Sequence, residues 1–227
     1  MTNPTRLTID IWSDVMCPWC VIGYQQLQKG LALLDGEIAA EVRWHAFELN
    51  PDMPAEGEEQ QAHIQRKYGR TPEQASSGRA QMREIAARAG YSFAYTGSEP
   101  EPEARLWNTF VTHKLLTWAL ETAGPDAQTG LKLALFDAHF QQRRNVSDPA
   151  VLVDVARAVG LDPLAAAVAL ADPALSDKVR AEEQAAWDMN VSGVPAMLIQ
   201  GKYLIPGAQE PEVYATALRR VVARGLS

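Results

Sequence analysis

The chain has 227 residues, 47% hydrophobic and 22% charged, an ordinary globular composition that can bury a core without disulfide support. Its net charge of -7, with both signs mixed along the chain, argues against nucleic acid as the main partner. No apolar run is long enough to span a bilayer. Met1-Thr2-Asn3-Pro4-Thr5-Arg6 shows no charged-then-apolar leader, so a cytoplasmic location is expected.

Leu7-Thr8-Ile9-Asp10-Ile11-Trp12 alternates and is β-branched, which predicts a strand. Further on, Tyr24, Leu27, Leu31 and Leu34 recur at helical spacing. Between these segments stand the only two cysteines, as Cys17-Pro18-Trp19-Cys20. Pro18 suits the first helical position, where its missing N–H would have no partner, so Cys17 falls at the N-cap. Open N–H groups and the helix dipole favour an anion there. Cys17 is therefore the expected nucleophile, and Cys20, one turn along, the resolving thiol. A structural staple is a poorer reading, because so tight a loop removes little unfolded-state entropy. Zinc is poorer too, since His45, His63, His113 and His139 lack paired ligand spacing, and no metal is expected. In a reducing compartment the spacing reads as catalytic.

Glu41 to Phe47 predicts a second strand, ending at the Asn50-Pro51 turn signal, so strand, helix and strand form a right-handed parallel crossover. From about Glu58 to Asn190 the periodicity is helical, with almost no strand pattern. Thr71-Pro72 starts a helix that runs towards Gly90, and residues 91–102 read as a loop. Helices are expected near 104–121, 127–142, 149–159, 163–170 and 173–189, with Ser147-Asp148-Pro149 and Asp162-Pro163 as caps. Residues 196–200 and 202–205 flank Gly201 as a hairpin, and 210–224 form a last amphipathic helix. The fold class is α/β, with a helical block set between two halves of one unit. The expected division is 1–57 with 173–227 against an insertion at 58–172.

Ser192-Gly193-Val194-Pro195 precedes the third strand. A proline there cannot donate to the ladder. Either it is an ordinary trans proline at a strand entry, or a cis Val194-Pro195 bond presents the Val194 backbone to an extended substrate over Cys17.

These motifs resemble the DsbA-like thioredoxin superfamily, and within it the FrnE-type thiol-disulfide oxidoreductases. The carriers are Ser13-Asp14-Val15-Met16-Cys17-Pro18-Trp19-Cys20, Phe47-Glu48-Leu49-Asn50-Pro51, Asn108-Thr109, His113-Lys114-Leu115-Leu116, Gly193-Val194-Pro195 and Gly207-Ala208-Gln209. The resemblance implies a thioredoxin fold with a large all-helical insertion, a cis Val194-Pro195, attack by Cys17 and resolution by Cys20. The dipeptide Pro18-Trp19 lacks the histidine of better-known oxidases, so a less oxidising disulfide is expected.

Around the motif, Asp14 reads as loop turn chemistry more readily than as a proton acceptor. Trp12 suits the core, and Trp19 suits contact with an unfolded client. Glu48 and Asn50 either bind a peptide or glutathione, or simply stop the strand. His113, on an apolar face, reads as a satisfied core group. Gln209 could cap the last helix, whose start could hold a carboxylate.

The leading reading is an oxidoreductase or isomerase of protein disulfides. It needs no cofactor, takes disulfide-containing or unfolded proteins as substrates, and has thioredoxin or glutathione as candidate reductants. No membrane partner is expected, and the chain could be a monomer or a homodimer. An alternative is a glutathione-dependent transferase or isomerase of the kappa or hydroxychromene carboxylate isomerase type. Those relatives typically carry serine where Cys17 stands. A non-catalytic holdase working through the surface around Trp19 is a third reading.

Overall fold

The computed structural model describes residues 3–54 and 56–225. Strand β1 (Thr5–Ser13), helix α1 (Pro18–Ala32) and strand β2 (Ile38–Ala46) form the first unit. The two strands are parallel, from Thr5 opposite Ile38 to Ser13 opposite Ala46. The helical region follows: β3 (Glu58–Glu59), α2 (Gln60–Tyr68), α3 (Pro72–Ala89), β4 (Arg105–Leu106), α4 (Phe110–Phe140), α5 (Pro149–Ala158), α6 (Pro163–Ala171) and α7 (Pro173–Asp188). Strands β5 (Ala196–Ile199) and β6 (Tyr203–Pro206) and helix α8 (Pro211–Ala223) complete the chain. The main sheet has the order β2-β1-β5-β6, with β5 antiparallel to β1 and β6 antiparallel to β5.

Local chemistry sets most of these boundaries. Thr71 and Gln74 form a reciprocal capping box at the start of α3. Asp148, Asp162 and Asp172 each accept a first-turn N–H ahead of a proline at the helix start. Gln200 and Gly201 both take positive φ in the three-residue connection between β5 and β6, which the Lys202 N–H closes onto the Ile199 carbonyl at 3.1 Å.

Two expectations for the middle of the chain are corrected. Residues 58–59 and 105–106 are not helical: they pair antiparallel, with Glu58 opposite Leu106, as a short ribbon beside α2. The helix expected from 104 therefore starts only at Phe110, where Asn108 Oδ1 accepts the Phe110 N–H at 3.0 Å. Once Arg105 and Leu106 have strand partners for their backbone, a helix there would forfeit those bonds. The break expected between the helices at 104–121 and 127–142 is present inside α4, at Gly124 (φ 85°, ψ 178°) just before Pro125.

Helix α1 packs closely on α8, because a Cβ at Gly30 would stand 2.8 Å from the Pro211 carbonyl oxygen and 2.9 Å from Tyr214 Cβ. Strand β2 lies at the sheet edge, and the helical region satisfies its backbone. Gln128 of α4 accepts from Trp44 N–H at 2.8 Å and donates to its carbonyl at 2.7 Å, and Glu182 of α7 accepts from Ala46 N–H at 2.7 Å. A side-chain amide thus takes the place of a neighbouring strand. The core runs from Leu7, Ile9 and Ile11 on β1, through Leu27 and Trp44, to Leu131, Leu135 and Phe136 on α4.

Candidate active site

Helix α1 begins at Pro18 with Cys17 as its N-cap, in extended conformation and with no side-chain cap. Its start therefore keeps donors open at the cysteine. The loop before it is held by Asp14, whose carboxylate accepts the Met16 N–H at 3.1 Å and the Leu49 N–H at 2.8 Å, while its carbonyl accepts the Cys17 N–H at 3.1 Å. Asp14 is 1% exposed, and burial raises its carboxyl above the usual range. It serves the loop, as turn chemistry predicts, and also ties the end of β2 to the cysteine loop.

Both cysteines are free thiols. Cys17 Sγ lies 3.6 Å from the Val194 carbonyl oxygen, towards which its thiol points, and the Val194-Pro195 bond is cis. Pro195 comes close to α1 because Gly23 is small: a Cβ there would sit 3.0 Å from Pro195 Cγ. Cys20 is fully buried. Burial, then contact with Cys17, pushes its thiol well above the ordinary value, and the positive charge of Lys132 acts in the opposite sense.

Lys132, on α4, was not singled out from the sequence. It is fully buried, its Nζ has no hydrogen-bond partner, and it lies 5.4 Å from the Trp44 ring and 5.2 Å from the Phe136 ring. Burial lowers its pKa to about 8 against the opposing pull of Cys20, Asp14 and Cys17. The only signal in the sequence is a lysine among Leu131, Leu133 and Leu135, on a helix whose distance from Cys20 no pattern reveals.

The other expected residues separate. Trp19 is half-exposed and lines a cavity beside Cys17, together with Pro18, Leu49 and Asn50. Asn50 Oδ1 accepts from Lys67 Nζ at 2.6 Å. Glu48 points elsewhere: its Oε2 meets Arg180 of α7 at 2.7 Å, its Oε1 is buried without a partner, and burial pushes its pKa up to about 7. His113 is buried, as expected, but not fully satisfied, since its Nε2 lacks a partner; burial holds it well below the usual imidazole range. Gln209 does not cap α8. Its Nε2 donates to the Pro206 carbonyl at 2.7 Å, and Glu210 takes the N-cap position because Pro211 opens the helix. Trp12 is buried, stacks on His45 and donates to the Glu182 carbonyl at 3.0 Å. Among the described residues no cluster of three or more His, Cys, Asp or Glu side chains could hold a metal ion, and no helix is long and apolar enough to cross a membrane.

Comparison with known proteins agrees with this geometry. The chain is 26% identical over 212 residues to Bacillus subtilis (strain 168) protein YwbO, covering 92% of this chain and 94% of that protein. Its structure is similar to that of a protein described as a probable DsbA oxidoreductase, SCO1869 of Streptomyces coelicolor. The two are 32% identical, with a TM-score of 0.83 over 96% of this chain and 90% of the other. The cytosolic disulfide reductase DsbM of Pseudomonas aeruginosa shares the fold at 17% identity, with a TM-score of 0.62 over 96% of this chain and 100% of that one. With residues 8–219 matching the family, the chain belongs to the DSBA-like thioredoxin domain proteins.

Proposed function

We propose that the protein is a dithiol oxidoreductase that reduces or reshuffles disulfides, with Cys17 as nucleophile and Cys20 as resolving thiol. The observation that carries this is Cys17 at an uncapped helix start, 3.6 Å from the Val194 carbonyl, with Cys20 one turn behind it and fully buried. The Cys17 thiolate attacks one sulfur of a disulfide. That S–S bond breaks, and one substrate sulfur leaves as a thiolate that takes up a proton. Cys20, once deprotonated, then attacks Cys17 Sγ. The second substrate thiol is released, and the protein retains the Cys17–Cys20 disulfide with two electrons passed on. Because Cys20 has no solvent contact, the second attack stays intramolecular.

Disulfide-containing proteins are the expected clients, and thioredoxin or glutathione the expected reductant. A Pro18-Trp19 dipeptide supports a midpoint more reducing than that of strong oxidases, whose potentials reach about -120 mV. The test is equilibration in graded reduced and oxidised glutathione, with thiol trapping of both cysteines. A two-electron transition is expected, and Cys20→Ser should leave a mixed disulfide on Cys17. A pair that never oxidises, or a Cys17 adduct that persists with Cys20 intact, would overturn the reading.

A further inference from the structure

Beside Cys17 a cavity of about 340 Å³ opens towards α2 and α3, in the lower part of the size range of small-molecule sites. One wall is apolar, formed by Leu49, Ile64, Met82 and Leu106. The other wall is cationic. Arg70 and Arg79 line the cavity, and an adjoining recess shares Pro18, Gln60, Arg79 and Met82 with it and adds Arg83. No aspartate or glutamate lines the main cavity, although the chain carries 28 of them.

These arginines differ from those that hold carboxylates. Arg66, Arg105, Arg143 and Arg180 each hold a carboxylate. The side chains of Arg70, Arg79 and Arg83 form no ion pair or hydrogen bond with any described residue. Glu58, the acid on the approach to α2, is already engaged by Arg66 and His63. An acidic protein therefore presents a local positive field at its nucleophile, where anions are concentrated and steered. A guanidinium also has the planar fork that pairs with carboxylate oxygens.

We infer that this cavity takes a small disulfide bearing carboxylate groups, held by Arg79 with Arg70 and Arg83 while one of its sulfurs meets Cys17. The inference rests on the dithiol reading for its chemistry. Cys17 and Cys20 lose two electrons and two protons overall and become a disulfide, and the substrate S–S bond breaks to give two thiols. At about 340 Å³ this open cavity matches a small molecule, which would be a substrate in addition to the protein clients proposed above.

The test uses pre-reduced protein in single turnover with three disulfides of similar size: dithiodipropionate (anionic), hydroxyethyl disulfide (neutral) and cystamine (cationic). The anionic substrate should react at least about tenfold faster than the neutral one, and the advantage should shrink with added salt. Arg70→Gln with Arg79→Gln should lower the anionic-to-neutral rate ratio about tenfold, whereas Arg220→Gln on α8 should not. Binding is read separately with octanedioate, the dicarboxylate in which carbon replaces the two sulfurs, by calorimetry on wild type and on Cys17→Ser. Octanedioate binding that is lost in the double arginine variant supports the site even if none of the disulfides reacts, and a pair that also never oxidises in graded glutathione would then sink only the dithiol reading. Equal rates for the three disulfides without octanedioate binding would overturn the site and leave the dithiol reading standing. A preference confined to acidic peptide disulfides would also overturn it.

Discussion

Lys132 Nζ lies 5.4 Å from the Trp44 ring, fully buried, with no hydrogen-bond acceptor. A buried cation without a hydrogen-bonded partner costs stability, so something else must favour its retention. The groups it faces are Cys20, Asp14 and Cys17, each negative when ionised. The structure thus places a cation from the helical region behind the dithiol of the sheet unit.

Replacing Lys132→Met should leave the fold intact or raise its stability, because an unpaired charge gives way to an apolar side chain of similar length. The same change should make the thiolates costlier. Thiolate absorbance should then titrate at higher pH, and the dithiol/disulfide midpoint should move to a more negative potential, because the reduced form loses its cation. An unchanged titration and midpoint would show that Lys132 does not act on the thiols.

Gln128→Leu should destabilise the protein by roughly 2–4 kcal/mol, since the Trp44 N–H and carbonyl at the edge of β2 would both lose their partner inside the core. Urea unfolding followed by tryptophan fluorescence measures this. A loss below about 0.5 kcal/mol would mean that water or a shifted side chain replaces the amide.

Gly30→Ala sets helix propensity against packing. Alanine gains up to about 1 kcal/mol in a helix interior. Its Cβ, however, would stand 2.8 Å from the Pro211 carbonyl oxygen and 2.9 Å from Tyr214 Cβ, and overpacking typically costs about 1–3 kcal/mol. Backbone yields less readily than a side-chain tip, so the clash should win and the melting temperature should fall. A rise would show that α1 and α8 separate freely.

His45 gives a signed pH dependence. Burial opposes its charge, but hydrogen bonds and charge from Asp10 (2.9 Å) and Glu182 (3.6 Å) prevail and raise its pKa to about 9. Its contribution is therefore complete below the unfolded value of about 6.5 and is lost as pH rises through about 9. Lys132, lowered to about 8, works in the opposite sense above that pH, so the comparison must be between variants. Wild type should exceed His45→Gln by on the order of 1–3 kcal/mol at pH 6, and that gap should narrow by pH 10. A gap independent of pH would remove the ionic origin.

Much of the architecture was legible because it rests on local rules. Thr71 with Gln74, and Asp148 and Asp162 before prolines, announce helix starts through bonds made within four residues. The helix expected from 104 failed for the opposite reason. Arg105 and Leu106 take strand partners almost fifty positions away, and no periodicity carries that pairing. Gln209 lies one residue before the cap, because the proline that opens α8 hands that position to Glu210.

The sequence by itself determined the candidate dithiol, since Cys17, Pro18 and Cys20 acquire their geometry from one helix start. It also determined the order of the main-sheet strands and of most helices, which follows from local periodicity and breakers, but not the β3–β4 ribbon. Only the tertiary structure decided the surroundings of that pair. Val194 reaches Cys17 across 177 positions, Lys132 enters behind Cys20 from α4, and Arg70 and Arg79 line the cavity beside Cys17 with Arg83 in the recess next to it. Electrostatics and burial depend on distance in space, which chain spacing encodes only within a helix turn or along a strand.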